Sequence, residues 1–286
     1  MTDQQANGFQ VPPGSIYVTS YGSIRAKTTQ ALLAMQRRAF NLGLNNIDFR
    51  ITIGTLVDKA RNEAAKELLS DKNRAYLWFI DADMAFAPEL LDVMLKTAYD
   101  ECKEFDIIGA YCQLRGEPYF PTIDTGTGTW EPQLAGQGPL EVIRTGGACV
   151  LIKRRVFERM EYPWYGIRHA PRPIDMIAEV DNYARIKFDG RNPFWGKEWE
   201  QLLSCARTEA QQQRGKDPAA SLANTIMTVG EDSCFTDRAK ALGFRIVVQT
   251  NAICGHIDER ILWPQEHAEA MKKVVASERH ASGVLD

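Results

Sequence analysis

Five apolar residues in a row, residues 76–80 (YLWFI), run straight into Asp81-Ala82-Asp83, and a helix start follows at Pro88. This is the most strand-like run in the chain, because aromatic and branched side chains at strand length stop at a polar break. The pattern around it alternates. Residues 15–19 read as a buried strand, residues 27–40 place Ala31, Leu32, Met35 and Ala39 at helical spacing, and residues 48–53 alternate as a strand. Residues 57–69 put Ala60, Ala64 and Leu68 on one helix face, and a helix over 89–99 and a strand over 106–111 continue the series. Strands separated by helices of these lengths predict an α/β fold with a mainly parallel, Rossmann-like central sheet covered on both faces. In such sheets ligands bind beyond the carboxyl ends of the strands.

The second half is less regular. Glycine and proline crowd residues 115–139, which predicts a loop able to form a lid. Residues 141–152 read as a strand broken by Gly146-Gly147, followed by a helix over 154–160. Residues 231–242 form a helical pattern closed by Gly243, residues 245–249 a strand, and after Cys254-Gly255-His256 a closing helix is predicted over 264–277. The polar residues 1–14 are expected to be a flexible leader to one catalytic domain over 15–286. An aromatic and polar insert at about 162–224, carrying Trp164, Trp195 and Trp199, has no assignable fold.

Composition narrows the class. Of 286 residues, 44% are hydrophobic and 25% charged, which suits a globular protein and excludes disordered, collagen-like and coiled-coil chains. The net charge of −3 provides no overall attraction to a polyanion. No stretch approaches the roughly 18 consecutive apolar residues of a membrane span, and the N-terminus lacks a basic start and apolar run. A cytoplasmic protein is expected, in the host cytoplasm for a viral chain. The six cysteines are scattered, without a CxxC pair, which fits reduced thiols.

Three features carry chemistry. On an extended segment the side chains of Asp81 and Asp83 point the same way, about 6–7 Å apart. Two carboxylates so close suit a hard cation such as Mg²⁺ or Mn²⁺, and the alternative is a solvated turn that caps the next helix. Gly230-Glu231-Asp232 precedes an amphipathic helix, where acids act as caps or, at a cleft edge, as a general base. His256 follows a strand, and a neutral imidazole reaching the same sheet edge would be a third protein ligand for Mn²⁺.

These landmarks, in one order along the chain, resemble glycosyltransferases of the GT-A fold, close to the family 2 type and to the short versions of phages and viruses. The matching segments are SIYVTS, LVDKARNEAA, YLWFIDADM, TGGACVLI, GED and the late GH. The resemblance implies that Asp83 ligates a divalent metal bridging the phosphates of a nucleotide-sugar, with Asp81 near the ribose or metal and His256 completing the metal site. It implies Asp232 as the catalytic base, with Glu231 as neighbour or acceptor contact. Thr19 and Tyr21 match a loop that touches the nucleotide base, Arg61 and Asn62 a position that contacts base or phosphate, and Gly146 and Gly147 the acceptor-side loop. A β-bulge is the competing account of the two glycines.

The expected activity is therefore a metal-dependent transfer from a nucleotide-sugar, a UDP-sugar in the first instance, to an acceptor hydroxyl with inversion. The acceptor would be a glycan, a protein or a hydroxymethylated base in DNA. For DNA, Arg168, Arg172, Arg185 and Lys187 interleave with Trp164, Tyr165 and Tyr183 as a candidate basic, aromatic groove. Alternatives are a nonenzymatic nucleotide-sugar binder and a phosphotransferase of the haloacid dehalogenase type. In the latter the DxD normally lies on the first strand and continues to Thr or Val, whereas here it continues to Met84.

Overall fold

Side-chain alternation sends Tyr76, Trp78 and Ile80 to one face of the central sheet and Leu77 and Phe79 to the other, and all five are fully buried. That double burial is why the segment reads as an unbroken apolar run. A computed structural model of the chain describes residues 10–115, 119–126, 135–171, 226–257 and 261–262. The chain divides into two compact units, Met1–Gly166 with Asp232–Asp286, and Ile167–Glu231.

The first unit holds a seven-stranded sheet. Its strands are β1 (Gly14–Ser20), β2 (Ile47–Ile53), β3 (Tyr76–Asp81), β5 (Ile107–Tyr111), β7 (Pro139–Val142), β9 (Cys149–Lys153) and β12 (Ile246–Ile253), in the order β2-β1-β3-β9-β5-β12-β7. Five of the seven run in one direction, while β9 and β7 run against them. The result is the mainly parallel, Rossmann-like α/β architecture expected from the sequence. Helices α1 (Ala26–Asn41) and α3 (Leu90–Lys96) cover one face through Ala31, Leu32, Met35, Leu91 and Met94. Helices α2 (Val57–Ser70), α4 (Arg154–Arg159) and α5 (Glu231–Ala241) cover the other through Ala64, Leu68, Phe157, Phe235 and Ala239. A π-helical turn, Thr97–Glu101, extends α3. The left-handed φ of +84° at Gly243 ends α5, as the sequence predicts.

Smaller pairings complete the unit. β4 (Met84–Ala85), β13 (Gly255–Ile257) and β14 (Ile261–Leu262) form a three-stranded sheet, and β6 (Ile123–Asp124) pairs with β8 (Arg144–Thr145). The single strand expected over 141–152 is therefore three strands. In the second unit β10 (Arg168–Pro171) pairs antiparallel with β11 (Ile226–Val229).

At the start of the chain, residues 11–14 are held rather than loose. The Asn46 amide donates to the Val11 carbonyl at 3.2 Å, the Ala75 N–H to Pro13 at 2.8 Å, and Gly14 already belongs to β1. Residues 1–9, most of the predicted insert and the predicted closing helix lie outside the described residues. The five described cysteines are buried free thiols. Among the described residues no helix is long and apolar enough to cross a membrane.

Candidate functional site

Because β1, β3 and β5 are parallel, their last residues Ser20, Asp81 and Tyr111 lie along one sheet edge, where β9 begins in the opposite direction. Two carboxylates stand there, and each is met by an arginine. The Asp81 Oδ1 accepts from Thr19 Oγ1 at 2.8 Å and from Arg61 Nη2 at 3.1 Å, and its own N–H donates to Ala148 at 2.8 Å. Arg61 is 2% exposed, with its guanidinium carbon 5.7 Å and 5.5 Å from the ring centres of Phe79 and Tyr165. A buried cation in an aromatic box needs a carboxylate, and Asp81 supplies it. Asp83 lies two residues beyond Asp81, the last residue of β3, and forms an ion pair with Arg115.

His256 arrives at this edge through a break in β12. The register of β12 against β5 shifts between Gln249 and Ile253, a bulge that redirects the chain into β13. β13 then pairs with β4, so that His256 lies opposite Met84, and the Ile257 N–H donates to the Asp83 carbonyl at 2.7 Å. The imidazole is nearly buried, hydrogen-bonded to the Gln113 main chain, and its Nδ1 has no hydrogen-bond partner. Burial lowers its pKa from the ordinary value, against the opposing pull of Asp83, so it favours the neutral, lone-pair-bearing form. Asp81, Asp83 and His256 thus converge by backbone. Their carboxylates are turned to arginines, and among the described residues no group of three His, Cys, Asp or Glu side chains is assembled to hold a metal.

The Gly146-Gly147 break links this edge to α5. The Gly147 N–H donates to Asp232 Oδ2 at 3.2 Å, while the Gly147 carbonyl accepts from Arg61 Nη2 at 3.0 Å. Neither glycine leaves room for a side chain. A Cβ at position 146 would lie 2.8 Å from the Thr122 Cβ, and one at 147 would lie 2.3 Å from the Arg61 guanidinium. Close packing by Thr122 and Arg61 therefore explains these glycines, in place of a bulge. Asp232 also accepts from the Ser233 N–H at 2.7 Å, which fixes its half-buried carboxylate in the first turn of α5. Glu231 opens the same helix, half-buried.

Other predicted residues have interior or surface places. The Asn62 side chain exchanges both its hydrogen bonds with the main chain of Tyr165, at 2.8 and 3.1 Å. Tyr21 is 77% exposed just past β1. Two members of the candidate DNA groove belong to the core. The Trp164 indole N–H donates to the carbonyls of Phe157 and Met160, and Tyr165 stacks on Phe235 with ring centres 4.4 Å apart. Both residues are buried, and neither can stack on a base. Arg172, Tyr183, Arg185 and Lys187 lie outside the described residues.

Sequence reasoning missed Arg115, and it placed Tyr165 in a nucleic-acid groove rather than against the Arg61 guanidinium. Arg115 was visible only as the residue opening a Gly- and Pro-rich loop, and Tyr165 as part of an aromatic stretch with no period.

The chain shares its fold with A197 from STIV. The two superpose with a TM-score of 0.50 at 18% identity, over 89% of this chain and 91% of A197. Other overlaps include GalNAc-T7 with UDP, GalNAc and Mn²⁺, at TM-score 0.44 and 10% identity over 91% of this chain and 48% of that one. A glycosyltransferase involved in glycosylation of the major capsid of PBCV-1 overlaps 53% of this chain and 70% of its own, at TM-score 0.29 and 9% identity. Comparison of sequences alone finds no matching family model and no matching curated protein.

Proposed function

We propose that the protein is a metal-dependent glycosyltransferase that moves a sugar from a nucleotide-sugar, a UDP-sugar by its resemblance to family 2 enzymes, to an acceptor hydroxyl with inversion. The observation that carries the reading is the pairing of β13 with β4, which seats a buried imidazole with an unpartnered Nδ1 next to the backbone of Asp83. An orphaned buried nitrogen on a strand paired next to the two aspartates is a donor suited to a divalent ion, for which Asp81 and Asp83, released from their arginines, and His256 would be the protein ligands. When bound, Mn²⁺ or Mg²⁺ would stabilise the charge that develops on the departing diphosphate.

The protein's own groups supply the rest. Asp232, held by two main-chain N–H groups, takes the proton of the acceptor hydroxyl as its oxygen bonds to the anomeric carbon and the bond to the diphosphate breaks. Glu231, its neighbour, contacts the acceptor. Thr19 orients Asp81, and the exposed Tyr21 ring stacks on the nucleotide base. Arg61 supports Asp81 and Gly147 from the interior, and Asn62 anchors the Tyr165 wall of the Arg61 box. Gly146 and Gly147 belong to the acceptor-side loop, where the Gly147 N–H holds Asp232. The acceptor class is a glycan, a protein or a hydroxymethylated DNA base.

The test is turnover. Purified protein with Mn²⁺ and a panel of nucleotide-sugars, without acceptor, should hydrolyse one of them slowly and so identify the donor. Asp232→Asn should cut transfer to an acceptor by roughly 10²–10⁴ while leaving donor affinity intact. Absence of both hydrolysis and transfer across the panel, with donor binding retained, would make the protein a binder.

A further inference from the structure

Arg115 stands outside the chemistry just described, yet its guanidinium is paired with the carboxylate that the proposed metal needs. The two partners differ in freedom. The Asp83 side chain is 20% exposed and lies between β3 and β4, whereas Arg115 is 56% exposed. The segment beneath Arg115 is tied down. Gln113 is fully buried, bridges to Pro121 and bonds through its main chain to His256, and the Leu114 N–H donates to Phe120 at 2.8 Å. Arg115 is therefore the first residue past an anchored turn, and its long side chain can swing while its backbone stays beside the site.

A divalent ion on Asp83 and a guanidinium on the same carboxylate repel one another, so the ion displaces the arginine. The displaced group is a rigid fork of N–H donors with a permanent charge, the geometry that binds phosphate oxygens in pairs. Arg61 cannot take this part, because its guanidinium is buried between Phe79 and Tyr165 and bonded to Asp81 and Gly147.

We propose that Arg115 is a donor-binding residue that holds Asp83 in the metal-free protein and moves its guanidinium to the diphosphate of the nucleotide donor once a divalent ion occupies Asp83. The proposal rests on the reading of Asp83 as a metal ligand. Its consequence is a thermodynamic coupling: Arg115 opposes metal alone and favours metal together with diphosphate.

Calorimetric titration of the full chain separates these effects. Mn²⁺ is titrated without nucleotide, and UDP is then titrated at saturating Mn²⁺, for the wild type, Arg115→Ala and Arg115→Lys. Arg115→Ala should bind Mn²⁺ alone about tenfold more tightly and UDP at saturating Mn²⁺ about tenfold more weakly, with Arg115→Lys between it and the wild type. Arg115 is mostly exposed, and equal melting temperatures would show that the variants fold. Tighter Mn²⁺ with unchanged UDP would make Arg115 a competitor for Asp83 only and overturn the proposal, as would no change in either titration. In both cases a wild type that binds Mn²⁺ and UDP keeps the glycosyltransferase reading. A wild type that binds neither loses both.

Discussion

The guanidinium of Arg61 occupies the space that a side chain at position 147 would need, with Nη1 2.3 Å from where a Cβ would stand. The same guanidinium bonds the carbonyl of Gly147 and the carboxylate of Asp81, and the Gly147 N–H bonds Asp232. One buried arginine thus connects the proposed metal-binding strand end to the proposed base through a single glycine. The distance between the two groups is set by packing inside the protein rather than by a surface loop.

Replacing Gly147 with Ala tests that connection. The added methyl group must push Arg61 away from Asp81 or move the β9 entry, and overpacking of this kind costs about 1–3 kcal/mol. Urea unfolding should show that loss, and transfer should fall with it because the shift displaces the main-chain N–H of residue 147 that holds Asp232. Wild-type stability in Gly147→Ala would mean that Arg61 is free to yield.

The two aspartates should separate in stability. Asp81→Asn removes an ion pair from a nearly buried guanidinium, which we expect to cost about 2 kcal/mol because Asp81 itself is partly exposed. Asp83→Asn removes a pair whose arginine is mostly in solvent, and its cost should stay below about 1 kcal/mol. Equal unfolding midpoints in urea for the two variants would contradict the assignment of Asp81 to the interior network.

A second buried cation gives a pH signature unrelated to catalysis. Burial, aided by the charge of Arg155, lowers Lys153 to a pKa of about 8, and its ammonium donates to the Lys103 carbonyl at 2.8 Å. A lysine whose folded pKa lies below its unfolded value destabilises the fold at low pH, and the penalty fades as pH rises from about 8 toward the unfolded value near 10.4. Relative to Lys153→Met, the wild type should gain about 2 kcal/mol in urea unfolding between about pH 7.5 and 10. A flat difference would show that Lys153 titrates as in solvent.

Periodicity exposed most of the fold, because β1, β3 and β5 are buried on both faces and α1 and α2 carry clear apolar stripes. It could not resolve the stretch after β5. There β7, β8 and β9 are separated by one or a few residues, and the breaks are set by partners far away in the chain, such as Thr122 against Gly146 and Arg61 against Gly147. The acidic and histidine positions of the site were legible as residue types at strand ends. Their present partners were not. An arginine on a helix reads as a solvated residue, and only the tertiary contact with Asp81 shows that Arg61 is interior. Trp164 and Tyr165 failed in the opposite sense, since aromatic residues near arginines resemble a nucleic-acid groove until their packing on Phe157 and Phe235 is seen.

The central claim is that residues from two distant segments, Asp83 and His256, hold one divalent ion that binds a nucleoside diphosphate. Manganese paramagnetic resonance in the presence of UDP measures this directly, because bound Mn²⁺ loses its free-ion signal. The account predicts that the wild type binds Mn²⁺ with UDP, and that Asp83→Asn and His256→Ala each weaken binding by at least about tenfold while remaining folded. Binding of equal strength in all three proteins, or no binding by the wild type, would contradict it.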